Sequence, residues 1–248
     1  MLLKGKTAVI TGANRGIGLA ILTGFAEHGA NIYAITRAEN NDFLSKCDEL
    51  SNKYNITITH IYADFSEEEQ VKAAAKKILS DKTAIDILVN NVGIGYPLCM
   101  FTMTKPDKLR KAFEINFFSS IFLTQQLSRN MMKKRGGSII FISSSAAFDG
   151  GANLEYSASK AAIIGASRRM AYELGKYGIR VNALAPGLTD TDMGNSMSEE
   201  DEEIALSRNI FGRKAKPEEI ADAVTFLASD MSSFITKQVL CVDGGLLK

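Results

Sequence analysis

Tyr156 and Lys160, in the segment YSASK, form the pair of side chains in this sequence best suited to chemistry. Residues four positions apart lie one turn apart on the same face of a helix. A tyrosine hydroxyl has an ordinary pKa of about 10 and is a poor proton exchanger at neutral pH. A neighbouring ammonium favours the phenolate and is expected to lower that pKa. The pair suits a proton donor in catalysis, although the spacing alone is also typical of an exposed helix.

A cofactor site is predicted by the segment TGANRGIG at residues 11–18, which lies between a strand-like run and a helix-like one. In doubly wound folds the turn after the first strand meets the pyrophosphate of a dinucleotide, and glycine lets the backbone approach closely. The next helix offers its first amides and the positive end of its dipole to the phosphates. A tight turn without a ligand is the alternative, and the flanking elements favour the nucleotide. The residues predicted to bind the cofactor in this turn are Gly12, Asn14, Arg15, Gly16, Ile17 and Gly18.

Seven apolar runs alternate with amphipathic segments and predict the elements that must position these residues. Most of the runs are continuous, as in parallel strands buried on both faces. The runs are residues 7–11, 31–36, 57–62, 85–90, 138–143, 180–185 and 238–242. Residues 66–69 are interpreted as a capping box and Pro217 as the proline of a first helical turn. The sequence predicts an α/β fold, a single-domain, Rossmann-like doubly wound parallel sheet of about seven strands flanked by helices, over residues 1–248.

The composition argues against several classes of function. The net charge is +1 and the longest basic run is only residues 133–135, so nucleic acid is not expected as a partner. No apolar run approaches the roughly 18 residues of a membrane span. The three cysteines are far apart in the sequence, as expected of reduced thiols. His28 and His60 lie near no other cluster of metal-ligand residues, so we predict a cytoplasmic protein without a metal site.

Five motifs resemble the short-chain dehydrogenase/reductase family over nearly the whole chain. They are TGANRGIG, an aspartate after the third strand, NNVG at 90–93, YSASK, and PG at 186–187. The segments MMKKRGGSIIFIS and GRKAKPEEIADAVTFLASDMSSFITKQVLCVDGG are similar to those of the bacterial beta-ketoacyl-acyl-carrier-protein reductases within that family. The resemblance implies that the adenosine and nicotinamide ends of the cofactor lie against further residues. Besides Tyr156 and Lys160, these are Asp64, Asn90, Gly93, Pro186, Gly187 and Thr189.

Two neighbouring serines at the end of the fifth strand could hold the substrate carbonyl. In the family the serine commonly precedes the tyrosine by 13 residues, which selects Ser143. An ungapped reading from Asn116 through the strand instead selects Ser144 and leaves the following loop one residue short. Loops shorten more readily than strands change register, because a one-residue slip reverses every side chain. We therefore predict Ser144, and interpret Ser145 as merely ending the strand.

Asn116, in INFFSS, resembles an asparagine that the family places in the middle of a helix. There it holds a water that links the lysine to a path for solvent protons. A simple irregularity of the helix is the alternative, because asparagine is indifferent in helices. The resemblance implies a catalytic set of Asn116, Ser144, Tyr156 and Lys160.

The end of the second strand bears on the choice of cofactor. An aspartate there binds the ribose 2′-hydroxyl and rejects a 2′-phosphate, but this sequence has Thr36 and Arg37. Arg15 can approach from the glycine turn, and two guanidinium groups suit a phosphate dianion. Glu39 is the opposing charge and is expected to face solvent at the start of the next helix. We therefore predict NADP (NADPH) as the cofactor.

The substrate is predicted only by class. Segments 93–104 and 189–212 are expected to border the pocket, and their methionines and phenylalanines suit an apolar acyl chain or ordinary loop packing. An acidic carrier protein favours arginines near the pocket, and Arg129 matches one such position while Tyr177 stands at the other. The prediction is a ketone reductase acting on a small-molecule or acyl-carrier-protein-linked substrate in fatty-acid synthesis. The alternatives are a dehydrogenase of a free alcohol, sugar, steroid or quinone, and a non-catalytic nucleotide-sensing protein.

The predicted helices at about 113–134 and 155–177 carry apolar residues on more than one face. A helix that only covers a sheet needs a single apolar stripe, so the excess indicates a second burial partner. Members of the family commonly form tetramers through these two helices. Together with the two leucines in the terminal VDGGLLK, this pattern predicts a closed homotetramer.

Overall fold

Seven parallel strands form one sheet in the computed structural model of this chain, which describes residues 1–246 apart from the side chain of Ser196. The strands are β1 (Thr7–Thr11), β2 (Asn31–Thr36), β3 (Ile58–Tyr62), β4 (Ile87–Asn90), β5 (Gly137–Ile142), β6 (Ile179–Pro186) and β7 (Val239–Val242). Their order across the sheet is β3-β2-β1-β4-β5-β6-β7. The chain therefore builds outward from β1 in one direction, returns, and continues from β4 in the other.

Helices cover both faces of the sheet, which explains why the central strands are mostly continuous apolar runs. One face packs against α1 (Gly16–Glu27), α2 (Asn41–Tyr54) and α9 (Pro217–Ala228). The other face packs against α3 (Glu68–Ser80), α5 (Ser119–Lys134) and α7 (Leu154–Leu174). Every residue of β1 is buried, as expected of a strand at the centre of a doubly wound sheet.

Three shorter helices, α4 (Pro106–Phe113), α6 (Ala146–Asp149) and α8 (Glu199–Ser207), follow the carboxyl ends of β4, β5 and β6. The strand order reverses between β1 and β4. In sheets of this kind ligands bind outside the carboxyl ends of the strands, at the point of reversal. The loops after β1, β4, β5 and β6 therefore surround the expected site.

The predicted fold class is confirmed, and two strand predictions match the observed bounds, namely those of β1 and β2. The capping box predicted at 66–69 is wrong, because α3 begins at Glu68 and Ser66 does not cap it. The amide and the hydroxyl of Ser66 both donate to Oδ1 of Asp64 at 2.8 Å, and a side chain engaged in this local turn cannot cap the helix. Pro217 occupies the first turn of α9, as predicted.

Candidate active site

The turn between β1 and α1 depends on glycine at three positions. Gly12 and Gly16 have φ angles of +66° and +51°, a left-handed conformation that glycine adopts readily. A Cβ at position 12 would lie 3.1 Å from Nδ2 of Asn91, and one at position 18 would overlap the carbonyl oxygen of Gly12. The turn therefore needs bare backbone both for its conformation and for the close approach of the helix to the strand.

The start of α1 fits a phosphate group. Arg15 precedes the helix, and its side chain does not cap it. The amides of the first turn, which belong to Gly16, Ile17 and Gly18, have no acceptor within a helix. Together with the positive end of the helix dipole they form an anion site. The residues predicted from the glycine motif thus suit the pyrophosphate of a dinucleotide.

Thr11 and Asn91 support this turn and are absent from the predicted site residues. Oγ1 of Thr11 accepts hydrogen bonds from the amides of Asn91 and Val92 at 2.9 and 3.0 Å. Nδ2 of Asn91 donates to the carbonyls of Thr11 and Gly12 at 3.0 and 3.2 Å. The side chains thus join the ends of β1 and β4 at the switch point. The available signal was a polar residue that ends β1 and another that directly follows β4.

Asn90 and Gly93 also lie at this edge of the sheet. Nδ2 of Asn90 donates to Oγ1 of Thr124 at 2.9 Å, while its buried Oδ1 has no hydrogen-bond partner among the described residues. An orphaned buried acceptor at this place suits a donor from a bound ligand. A Cβ on Gly93 would lie 3.0 Å from Nζ of Lys160 and 3.5 Å from Oδ1 of Asn116. Glycine at 93 therefore leaves room beside the predicted catalytic lysine.

Asn116 lies in a π-helical turn, Glu114–Phe118, which interrupts the helix between α4 and α5. Turns of this kind are frequent at functional sites. The side chain is fully buried. Its Oδ1 accepts a hydrogen bond from the amide of Ile94 at 2.8 Å. Its Nδ2 donates to the carbonyl of Ile94 and to Oγ of Ser159, both at 3.0 Å. The side chain thus ties the segment after β4 to the helix that carries Tyr156 and Lys160.

Ser143 and Ser144 face different partners. Oγ of Ser143 is buried and donates to the carbonyl of Lys160 at 2.8 Å. The side chain of Ser144 is hydrogen-bonded to Tyr156 and accepts the amide of Ala146 at 3.2 Å. The structure therefore places Ser144, and not Ser143, beside the tyrosine hydroxyl.

The pKa values of Tyr156 and Lys160 are governed by burial. Burial raises the pKa of Tyr156, and its hydrogen bond with Ser144 lowers it by less. Burial lowers the pKa of Lys160 to about 8. Nζ of Lys160 donates to the carbonyl of Ile142 at 2.8 Å and lies 5.6 Å from the centre of the tyrosine ring. The expectation that Lys160 lowers the pKa of Tyr156 is therefore wrong for this structure, in which Tyr156 holds its proton at neutral pH.

We expect Lys160→Met to change how stability depends on pH. The pKa of Lys160 is about 8 in the folded chain and ordinarily 10.5. Below both values the cost of burying the ammonium is complete, and as pH rises through 8 the folded chain loses its proton first, so stability increases. Relative to the variant, the wild-type free energy of unfolding should rise by about 2 kcal/mol between about pH 6.5 and 9.5. Urea unfolding at both pH values measures this, and parallel profiles would contradict it.

Arg37 and Asp64 lie at the adenosine side of the predicted cofactor site. Arg37 is exposed directly after β2, whose last residue, Thr36, is buried and donates to the carbonyl of Ala38 at 3.1 Å. Hydrogen bonds from Ser66 hold the pKa of Asp64 below its usual value, with a smaller contribution from the charge of Arg37. No acidic side chain stands at the end of β2, as the sequence indicated.

The loop after β6 meets the glycine turn. Nη1 of Arg15 lies 2.8 Å from Oδ2 of Asp192, and both side chains are largely exposed. Pro186 ends β6, and a Cβ on the following Gly187 would clash with the backbone of Asp243. Thr189 is buried and donates to the carbonyl of Gly187 at 3.0 Å. The three residues predicted to cover the nicotinamide therefore lie on the opposite side of the turn from Arg37.

Residues 1–246 contain neither of two other kinds of site. No helix in that range is long and apolar enough to cross a membrane. In the same range, no group of three or more histidine, cysteine, aspartate or glutamate side chains could hold a metal ion.

The sheet order, the glycine turn and the neighbouring side chains of Tyr156 and Lys160 define an oxidoreductase of the doubly wound, nucleotide-binding class. A family model described as enoyl-(acyl carrier protein) reductase matches residues 12–247. The chain belongs to the short-chain dehydrogenase/reductase family, as the sequence motifs predict.

Similar proteins differ in what they act on. A 3-oxoacyl-[acyl-carrier-protein] reductase of Chlamydia muridarum is 39% identical over 99% of this chain and 98% of its own length. A 3alpha-hydroxysteroid dehydrogenase of Mediterraneibacter gnavus is 36% identical over 98% of both chains. The crystal structure of L-sorbose reductase from Gluconobacter frateurii, complexed with NADPH and L-sorbose, is 31% identical with a TM-score of 0.88 and covers 99% of this chain and 98% of that one.

Proposed function

We propose that this protein is an NADPH-dependent reductase that converts a 3-oxoacyl thioester on acyl-carrier protein to the 3-hydroxyacyl thioester, in cytoplasmic fatty-acid synthesis. The observation that carries the proposal is the meeting of Ser144, Tyr156 and Lys160 beside Gly93, at the sheet edge that also holds the glycine turn. Two hydroxyl groups and one amine at this edge are the functional groups needed to bind and protonate a carbonyl oxygen.

A bound nicotinamide cofactor supplies the hydride that reaches the carbonyl carbon. In the proposed reaction the hydroxyl of Ser144 donates a hydrogen bond to the carbonyl oxygen, and the hydroxyl of Tyr156 gives that oxygen its proton. Because burial raises the pKa of Tyr156, the phenol carries the proton to be donated at neutral pH. The phenolate that remains must regain a proton before the next turnover, and the ammonium of Lys160, with Nζ 5.6 Å from the centre of the ring, is the nearby charged group on the same helix. The product is a secondary alcohol.

The preference for NADPH is supported by charge. Arg37 follows β2 without an acidic residue at the strand end, and Arg15 lies on the glycine turn, where binding the phosphate would replace its ion pair with Asp192. A relative of the same fold is described as complexed with NADPH. Two guanidinium groups recognise a 2′-phosphate that NADH lacks.

The thioester substrate is supported by the full-length similarity to 3-oxoacyl-[acyl-carrier-protein] reductases and by apolar side chains near the site. Leu98, Met100, Phe101 and Met103 are exposed in the segment after β4. The similarity to steroid and sugar enzymes keeps a free ketone as the second candidate.

NADPH oxidation with a panel of substrates tests the proposal. We expect the highest kcat/KM with acetoacetyl-acyl-carrier protein, a lower value with the same acyl group on a small thiol, and low values with L-sorbose, a 3-oxosteroid and crotonyl thioester. Arg129→Ala should raise KM only for the carrier-linked substrate, with Arg168→Ala as the matched control. Faster reduction of a sugar or steroid would favour the second candidate. No reduction of any substrate would favour the non-catalytic alternative.

We also propose a homotetramer. Phe118, the last residue of the π-helical turn before α5, and Tyr172 on α7 are 53% and 74% exposed, and the ring of Phe118 lies 5.3 Å from that of Phe117. Apolar side chains of this size on exposed helix faces indicate burial against another copy. Leu247, one of the two leucines in the proposed contact of the tail, lies outside the described residues.

Light scattering at micromolar concentration should give about four times the chain mass of 26.9 kDa. A stable, active monomer would contradict the tetramer. A dimer would support the helix interface and remove only the contacts of the tail.

A further inference from the structure

We propose that Gly95 determines specificity by leaving a notch between the ring of Tyr156 and the side chain of Met193, which receives an apolar substituent of the ketone. The inference rests on the proposed function, because it concerns the substrate of the same site. It names a residue that neither the glycine motif nor the Tyr–Lys pair includes.

The notch is defined by what a side chain at position 95 would touch. A Cβ on Gly95 would lie 3.5 Å from Cδ2 and 3.8 Å from Cε2 of Tyr156, and 3.8 Å from Sδ of Met193. These are ordinary van der Waals distances, so a methyl group there would line the ring edge without forcing any atom to move. The backbone of Gly95 has no left-handed φ angle, and the glycine is therefore not required by conformation. Its effect is to leave space beside the proton donor.

Asn153 holds the wall of the notch against the catalytic helix. Its side chain is 4% exposed, and it lies just before the start of α7, three residues before Tyr156. Oδ1 accepts the amide of Cys99 at 2.9 Å, and Nδ2 donates to the carbonyls of Tyr96 and Pro97 at 2.9 and 2.8 Å. Three hydrogen bonds from one buried side chain fix the segment that follows Gly95 relative to Tyr156. Asn153 is a positioning residue that keeps the notch at a constant width.

The chemistry of the notch favours an apolar occupant. Its nearest atoms are aromatic carbons of Tyr156 and the thioether sulfur of Met193; such surfaces recognise alkyl and aryl groups through burial and polarisable contacts. The notch also lies on the exposed segment that carries the apolar side chains at 98–103. We therefore assign it to the alkyl or aryl group attached to the carbonyl carbon.

Two 3-oxo esters that differ only in the group on the ketone carbon test the assignment. Ethyl acetoacetate carries a methyl group there, and ethyl benzoylacetate carries a phenyl group. We expect the wild type to reduce both with NADPH. Gly95→Val should lower kcat/KM for the phenyl ester about tenfold or more relative to the methyl ester, and Gly95→Ala should have a smaller effect in the same direction.

Gly136→Val is the matched control. A Cβ on Gly136 would meet nothing within 4 Å, and its φ angle is not left-handed. This variant should keep the wild-type ratio of kcat/KM values for the two esters. An unchanged ratio in Gly95→Val, or a wild type that reduces only the methyl ester, would overturn the notch. A wild type that reduces neither ester nor the thioester panel would overturn the proposed reaction itself, and the notch with it.

Discussion

Replacing Tyr156 with phenylalanine is expected to reduce turnover by at least the ~10²-fold typical of a lost general acid. The substitution removes only the hydroxyl, so the ring keeps its place beside the space at Gly95 and beside the Lys160 ammonium. Burial raises the pKa of the native phenol, so the wild type carries its proton over the whole neutral range. The variant therefore loses the proton donor at every pH in that range, and its activity is not recovered by acidification.

Turnover and cofactor affinity must be measured on the same preparations. NADPH binding, followed by the fluorescence of the reduced nicotinamide, should be close to wild type in Tyr156→Phe. The matched control is Tyr54→Phe on α2, whose hydroxyl donates only to Oε1 of Glu27 at the surface, at 3.1 Å. This control should keep full turnover. Near-normal turnover in Tyr156→Phe would remove this residue from the mechanism.

Much of the fold was predictable because strand and helix signals act over short distances. Continuous apolar runs identify strands buried on both faces, and the bounds of β1 and β2 match the runs that predicted them. The glycines at 12, 16 and 18 indicated a cofactor turn because their spacing follows from close backbone approach. The structure adds the reason for each of them, as two have left-handed φ angles and the third packs on a carbonyl.

The contacts that could not be predicted from sequence are those between side chains and distant backbone. Asn153 resembles an ordinary helix-capping residue, yet its side chain does not cap α7 and instead binds the segment 96–99. Thr11 ends a strand in the sequence, but its hydroxyl joins two strands at the switch point. Both roles depend on which loop lies opposite, and that is decided by tertiary packing.

The pKa values of Tyr156 and Lys160 could not be predicted from the sequence either. Helical spacing indicated that Lys160 lies near Tyr156, and the ammonium is indeed 5.6 Å from the centre of the ring. Spacing carries no information about burial, however, and burial dominates both groups in this structure. The direction expected for Tyr156 was therefore reversed.

Ser144→Ala and Ser143→Ala are expected to show opposite effects on turnover and on stability. Ser144 contacts Tyr156, so its loss should lower turnover by an amount similar to that of other oxyanion-binding hydroxyls, roughly 10²-fold. Its side chain is partly exposed, and the fold should lose little stability. Ser143 has the reverse surroundings, because its buried hydroxyl donates to the carbonyl of Lys160. Removing it breaks a buried hydrogen bond to a carbonyl that keeps its helical partner in α7, at a cost of about 0.5–1.5 kcal/mol.

Turnover and stability measured together show which of the two serines faces the site, and neither measurement shows it alone. Turnover, measured well below the unfolding temperature, should fall mainly in Ser144→Ala. The free energy of unfolding in urea should fall mainly in Ser143→Ala. Ser145→Ala controls for the loss of any hydroxyl at this strand end, and should keep turnover within a few-fold of the wild type. If Ser143→Ala lost turnover and kept its stability while Ser144→Ala stayed active, the loop before Tyr156 would have the usual length of the family. In that case the side chains at the end of β5 would face opposite to their present directions, because successive residues of a strand point to opposite faces.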